Sequence, residues 1–502
     1  MKVRQILLVA IIVVLSLCSR VNAAGRTLSD RLEPTNWVSA EASASQERAL
    51  KLFKGALHVH TFYSDGKDTV AGRVASARKV GLDFVVLTDH IWNEKAPDEC
   101  KQNTVEGKFL CAMGLESSTK IAHVPAGFVY TKPPIPNGDW SNYFGAVKTQ
   151  GGFCWVAHPQ WQKETYGEYP FDNWNTTSYN LSMIDGVEVW NEASSQCRPD
   201  PTTTFAGGVW DSLLAKGYRV WGLAAEDRHA EAGLGFAVVT AYTYELKLSS
   251  IAEALRLGRF NSIRTPYSGQ YQIFKFDVGS SELGLPGSVV NVREGQEVSI
   301  HVEYNITWLN RAPLSRVDNV QIIRDGQIMY SHNPYASSIN LTINDRPQKW
   351  SVYRALIKDN AGGWGFSNPI FVNPVPASYF EARNTLEKAN SLRSSALVSN
   401  FQSQEAQSLI QQALEAHYLA EGAFSKGDFA AALTYAQKAI TLFEKASSVE
   451  QAYRKLPRTQ DQMPAYVVTS VVLVVVAAGA YVIRKKTKVK EIISSQLKAQ
   501  LK

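Results

Sequence analysis

The pattern of apolar and polar positions divides the chain into three stretches of different period. Between residues 50 and 266, short apolar runs end in polar or ionisable residues, with helical stretches between them. The runs cover 56–60, 84–88, 112–116, 153–157, 186–190 and 220–224, while 69–80 and 250–257 read as helices. Strands alternating with helices over this length predict an α/β domain with parallel strands, open or closed into a barrel. In a barrel the C-terminal strand ends carry the site, and the ionisable residues sit at those ends. From 268 to 374 the pattern becomes all-β. Residues 298–305 alternate with period two, Asp325-Gly326 is a hairpin signal, and Pro374 and Pro376 close the stretch, which reads as a β-sandwich. Residues 377–459 are Ala-rich, and Phe429, Leu433, Ala436, Ile440 and Phe443 recur at helical spacing. Gly427-Asp428 separates that helix from another at 404–424, so the segment reads as a helical hairpin stalk. A module that binds a protein partner is the sharper alternative there.

The two ends change the picture of where the chain resides. Met1-Lys2-Val3-Arg4 is a basic start, 6–17 is apolar, and Val21-Asn22-Ala23 offers a small-residue cleavage site. Residues 1–23 therefore have the form of a signal peptide. Residues 465–483 form an uncharged apolar run long enough to cross a hydrocarbon core of roughly 30 Å. Arg484, Lys485, Lys486, Lys488 and Lys490 follow it. Basic residues stay on the cytoplasmic side, so 465–483 reads as a single transmembrane helix, 484–502 as a cytoplasmic tail and the preceding domains as extracytoplasmic at the cell surface. These basic ends account for the formal net charge of +6. The rest of the chain is slightly acidic, and no nucleic-acid partner is expected. In an exported chain cysteines pair, and Cys100 and Cys111, which bracket a polar loop, are the expected pair beside Cys154 and Cys197. Sequons at Asn175, Asn180, Asn305 and Asn340 are compatible with a glycoprotein.

The candidate chemistry lies in the first stretch. In HVH, a strand of period two would turn His58 and His60 to one face. The chain has nine histidines, and His58, His60, His90, His123, His158 and His229 fall at or just after predicted strand ends. Asp65, Glu116 and Asp227 share those positions. Any one of them alone reads as a hydrogen-bonded loop residue. Together they suit a cluster of Zn, Mn or Fe, since imidazole and carboxylate are ligands for all three. No Walker A loop, HExxH or GxSxG motif is present.

The order HxH, Ser-Asp-Gly, Thr-Asp-His, Gly-x-Glu, His, His-Pro, Asp-x-His resembles that of the polymerase and histidinol phosphatase (PHP) superfamily of metalloenzymes, over residues 50–266. The later Val352-Tyr353-Arg354 and Ser367-Asn368-Pro369-Ile370 look like the extension of its carbaryl-hydrolase-like branch. The resemblance implies a distorted seven-stranded (β/α) barrel holding two or three divalent ions. One ion would take His58, His60, Glu116 and Asp227. A second would take Asp65, His90 and His229, and a third His123 and His158 with Glu116 as the bridge. Asp65 stands where many members have His. Asp89, next to a ligand in its motif, is the candidate orienting residue, and Glu116 and Asp89 are the candidate catalytic pair. The implied activity is hydrolysis by metal-activated hydroxide of a phosphoester or a carbamate, amide or ester bond, in a small molecule or a surface polymer. The competing class is a non-catalytic surface binding or structural protein built on a PHP scaffold.

Overall fold

KLFKGALHV, the first strand, becomes wholly buried only in its second half, and the burial of Ala56, Leu57 and Val59 marks it as a central strand. The computed structural model describes residues 50–455 except 121, 137–139, 168–181, 194–207, 232, 269 and 309–314. The expected signal peptide (1–23), transmembrane helix (465–483) and basic tail (484–502) lie outside the described residues, as does Cys197. Among the described residues no helix is long and apolar enough to cross a membrane.

The α/β region runs β1 (Lys51–Val59), α1 (Val70–Lys79), β2 (Phe84–Leu87), α2 (Ala96–Gln102), β3 (Leu110–Ser118), β4 (His123–Gly127), α3 (Ser141–Thr149), β5 (Phe153–Val156), α4 (Pro159–Tyr166), β6 (Gly186–Asn191), α5 (Gly208–Ala215), β7 (Trp221–Ala225), β8 (Ala237–Thr243), α6 (Leu248–Arg256) and β9 (Phe260–Arg264). β1, β2 and β3 pair in parallel, as do β5, β6 and β7. The expectation of parallel strands fails at β4, which is antiparallel to both β3 and β5, and at β8 and β9. At β4 the reason is chain length. Only 119–122 separate β3 from β4, and such a link makes a hairpin, whereas a parallel return needs a dozen residues or more. Beyond β7 the chain turns to the end of β1: Glu226 N donates to Leu57 O at 3.0 Å, and His60 N to Arg228 O at 3.1 Å. The C-terminal ends of the first and seventh strands are therefore neighbours.

The β region comprises β10 (Gln270–Gly279), β11 (Leu283–Gly284), β12 (Val289–Arg293), β13 (Val298–Trp308), β14 (Val317–Arg324), β15 (Gln327–His332), β16 (Ser338–Asp345), β17 (Ser351–Asp359), β18 (Trp364–Ser367) and β19 (Ile370–Val375). β11, β10, β13 and β16 make one sheet. The others continue the α/β sheet, because β18 pairs with β9. An apolar core including Phe274, Phe276, Ile300, Val302, Ile322 and Ile357 belongs to both sheets. Arg354 on β17 reaches Asp211 on α5 with two hydrogen bonds, of 2.7 and 2.6 Å, and lies 5.0 Å from the Trp210 ring centroid.

A second compact unit begins at Phe380. It holds all but the first three residues of α7 (Ala377–Val398), with α8 (Gln404–Phe424) and α9 (Phe429–Lys455). Gly427, at φ 76°, takes the left-handed turn between α8 and α9 that any side chain would oppose. The expected hairpin is thus joined by a third helix, and Ala389 of α7 shares a core with Ala413, Ala416, Ala439, Ile440 and Phe443.

Candidate metal centre

His58 and His60 do meet, with ring centroids 5.1 Å apart, but regular alternation is not the cause. The register of β1 slips between Ala56 and Val59, and His58 sits in the left-handed region at φ 61°. His158 (φ 25°) and Asp227 (φ 46°) share that strain, which costs roughly 1–3 kcal/mol at each non-glycine position. Such conformations persist only where surrounding structure over-determines them. The loop after HVH is equally constrained. A Cβ on Gly66 would fall 2.4 Å from the His60 carbonyl group, so Ser64-Asp65-Gly66 can fold back only with glycine there. Asp89 clamps the same loop, accepting from Thr61 N at 2.6 Å, Ser64 Oγ at 2.7 Å and Thr61 Oγ1 at 2.8 Å. It orients the loop that carries Asp65, and these hydrogen bonds go to that loop rather than to an imidazole.

Glu116, buried at the end of β3, is the centre of the cluster. Its Oε1 lies 3.1 Å from His123 Nδ1 and 3.4 Å from His158 Nε2. Its Oε2 lies 3.0 Å from His58 Nε2, 3.4 Å from His60 Nε2 and 3.2 Å from His90 Nδ1. Asp227 Oδ1 is 3.3 Å from His58 Nε2, 3.4 Å from His60 Nε2 and 3.6 Å from His229 Nδ1. Asp65 reaches His60, His90 and His229 at 3.4, 3.5 and 3.2 Å. All nine residues singled out in the sequence therefore come together. Three overlapping sets each offer ligand atoms within 4.8 Å of one another: His58, His60 and Glu116; Glu116, His123 and His158; and His60, Asp65, His90 and His229. His60 belongs to two sets, which the motif order did not imply.

These donors fit divalent cations. His60 Nε2 is buried without a hydrogen-bond partner while facing two carboxylates at 3.4 Å, and a shared cation satisfies all three. The charges point the same way. Burial opposes a charged His58, yet Asp227, Glu188 and Glu116 outweigh it and hold that ring well above its usual range. Burial likewise opposes ionised Glu116, but His58 and hydrogen bonds from His123 and His158 keep it well below the usual carboxylate range. At His90, the most open of these three, burial prevails and lowers the value.

Glu188, on β6, was not anticipated from the sequence. It is fully buried and accepts from His58 Nδ1 at 2.6 Å, Trp155 Nε1 at 2.9 Å, His158 N at 2.7 Å and Asn191 Nδ2 at 2.7 Å. Holding Nδ1–H aims Nε2 of His58 at the cluster, the usual arrangement behind a metal-bound imidazole. An acid inside the otherwise apolar GVEVW was the available signal, because carboxylates are rarely buried unless partnered. The cavity over the cluster measures about 290 Å³ and is lined by His90, Glu116, His123, His158, Trp161, Ala193, Asp227 and His229. Trp161 stands edge-on to His158 and His123, at 4.9 and 5.5 Å between centroids.

Cys100 and Cys111, the expected pair, are both buried and lie side by side, with their Sγ atoms 3.0 Å apart.

No family model and no curated protein matches the chain. Among solved structures it is similar to a two-domain protein containing a predicted PHP-like metal-dependent phosphoesterase from Bacteroides vulgatus ATCC 8482, at 16% identity over 64% of this chain and 95% of that one, with a TM-score of 0.37. A candidate metal-dependent phosphoesterase from Bifidobacterium adolescentis ATCC 15703 is similar at 16% identity over 35% of this chain and 88% of that one, with a TM-score of 0.26. Superpositions this loose carry no function, which has to come from the geometry of the cluster itself.

Proposed function

We propose that the chain is a metal-dependent hydrolase of the PHP type, its (β/α) barrel formed by β1–β7, acting on a phosphoester. The observation that carries this reading is Glu116, one buried carboxylate whose two oxygens lie within 3.4 Å of five imidazoles. His58, His60, Glu116 and Asp227 would hold one ion, His60, Asp65, His90 and His229 a second, and Glu116, His123 and His158 a third. When bound, such ions supply Lewis acidity and lower the pKa of water towards roughly 7. The chain's own residues do the rest. Glu188 keeps His58 in the tautomer that leaves Nε2 free, Asp89 holds the Asp65 loop, and Trp161 and Ala193 line the cavity beside the ligands. A carbamate, amide or ester bond is the second class of target, on the strength of the carbaryl-hydrolase-like residues 352–354 and 367–370. The apolar run 465–483 and its basic flank support a membrane-anchored enzyme that works outside the cytoplasm on a small molecule or a surface polymer.

The test is metal analysis of the purified protein, followed by activity on phosphomonoester, phosphodiester and carboxylic ester panels with Zn, Mn and Fe supplied separately. Glu116→Ala is expected to lower activity by at least about 1,000-fold and to lose bound metal, because it loosens more than one ion at once. Wild-type turnover in that variant would exclude this site. A metal-free protein inactive on every panel would leave the binding or structural reading in its place.

A further inference from the structure

Helix α1 buries Val70, Arg73, Val74 and Ala77, the spacing of one helix face. An arginine in that stripe is anomalous. Arg73 is fully buried, and among the described residues it forms no ion pair, Asp68, Asp89 and Glu226 acting on it only from longer range. Its guanidinium makes four hydrogen bonds, all to main-chain carbonyls: Nε to His60 O at 2.9 Å, Nη1 to Ala230 O at 2.7 Å, and Nη2 to Arg228 O at 3.2 Å and His229 O at 3.1 Å. Two of those carbonyls belong to metal-ligand candidates, and the other two flank His229. They lie where the loops following β1 and β7 meet, a seam that main-chain bonds also cross, from Glu226 N to Leu57 O, His60 N to Arg228 O, Arg228 N to His58 O and Lys67 N to His229 O. The rings of His60 and His229 stack across that seam at 4.1 Å.

A fixed positive charge beside a cation site repels the cation, so charge does not account for an arginine here. Geometry does: only the planar five-donor fork reaches carbonyls on both loops at once. We propose that Arg73 is a positioning residue for the side of the cluster that uses His60: the ion held by His60, Asp65, His90 and His229 and, through the shared His60, the one held with His58, Glu116 and Asp227. This inference rests on the reading of the cluster as a metal site, and not on which bond is hydrolysed. The set of Glu116, His123 and His158 hangs on β3, β4 and the residue just before α4, none of which Arg73 hydrogen-bonds.

The test titrates full-length protein, stripped of metal, with Mn(II) by calorimetry and counts bound ions by elemental analysis. Arg73→Met and Arg73→Lys are expected to weaken the ions that share His60 by roughly 10–100-fold and to leave the ion of Glu116, His123 and His158 at wild-type affinity. Val74→Ala, which removes only packing from the same helix, is expected to bind every ion as wild type does. Should Arg73→Met not fold, Arg73→Lys decides by the same isotherm, since it keeps the charge and loses the fork. Wild-type titration in the lysine variant, or equal weakening of all ions, overturns the proposal. A wild-type protein that loads metal but hydrolyses nothing sinks the hydrolase alone, whereas one that loads no metal ends both.

Discussion

Glu116 and Glu188 face opposite nitrogens of His58, at 3.0 Å from Nε2 and 2.6 Å from Nδ1. The first offers an oxygen to share with a metal, and the second fixes the proton on the far side of the ring. Glu188→Gln keeps the size of the side chain and removes the charge that makes the hydrogen bond strong. Its metal affinity is expected to fall roughly 10–100-fold while the protein stays folded. Equilibrium dialysis beside a circular dichroism melt checks this, and an unchanged affinity would remove Glu188 from the site. At this scale the sequence was informative because ligand types are a property of single residues. Six histidines and three acids could be picked out by chemistry and by their place after apolar runs. The left-handed backbone of His58, His158 and Asp227 could not, since non-glycine residues adopt it only under constraints from elsewhere in the fold.

Elements were legible where a pattern persisted. β13 alternates as read, and α8 runs over the residues assigned to it. β4 was missed because HVPAG is short and contains Pro125, which argues against a strand. α7 was not separated from the Ala-rich remainder because its apolar residues form no sharp stripe. In the helical unit, His417 of α8 is buried and its Nε2 donates to Asn390 Oδ1 of α7 at 2.6 Å. Burial, opposed by Glu421 and assisted by Arg393, depresses its pKa below 6.5. The folded unit therefore binds fewer protons than the unfolded chain as pH falls below 6.5, and stability drops until the folded pKa is passed. Hydrogen exchange of 404–424 in the full chain, corrected for intrinsic rates, should show protection lost in that window. His417→Gln should flatten the dependence, and an equal slope in both proteins would contradict the assignment.

At the scale of the whole molecule, the α/β and β regions are joined by more than chain connectivity. β9 and β18 share a ladder, and the Asp211–Arg354 pair is buried beneath it. Arg354→Met leaves Asp211 charged and unpartnered, which costs about 3–5 kcal/mol. Denaturant unfolding is expected to show that loss, while metal stoichiometry stays at the wild-type value because the pair is remote from the cluster. A change in bound metal instead would mean that the β region helps to shape the site.

The sequence by itself determined an inventory and an order: which residues could ligate, and that they lie at or near strand ends along the chain. Periodicity and side-chain chemistry are local, so they survive without a structure. Only the tertiary structure decided that His60 serves two ligand sets and that Glu188, 130 positions away, holds His58. It also decided that Arg73 closes the seam between the first and seventh strands. Those are distances between elements set by how the sheet curls and packs, and no short-range pattern encodes them.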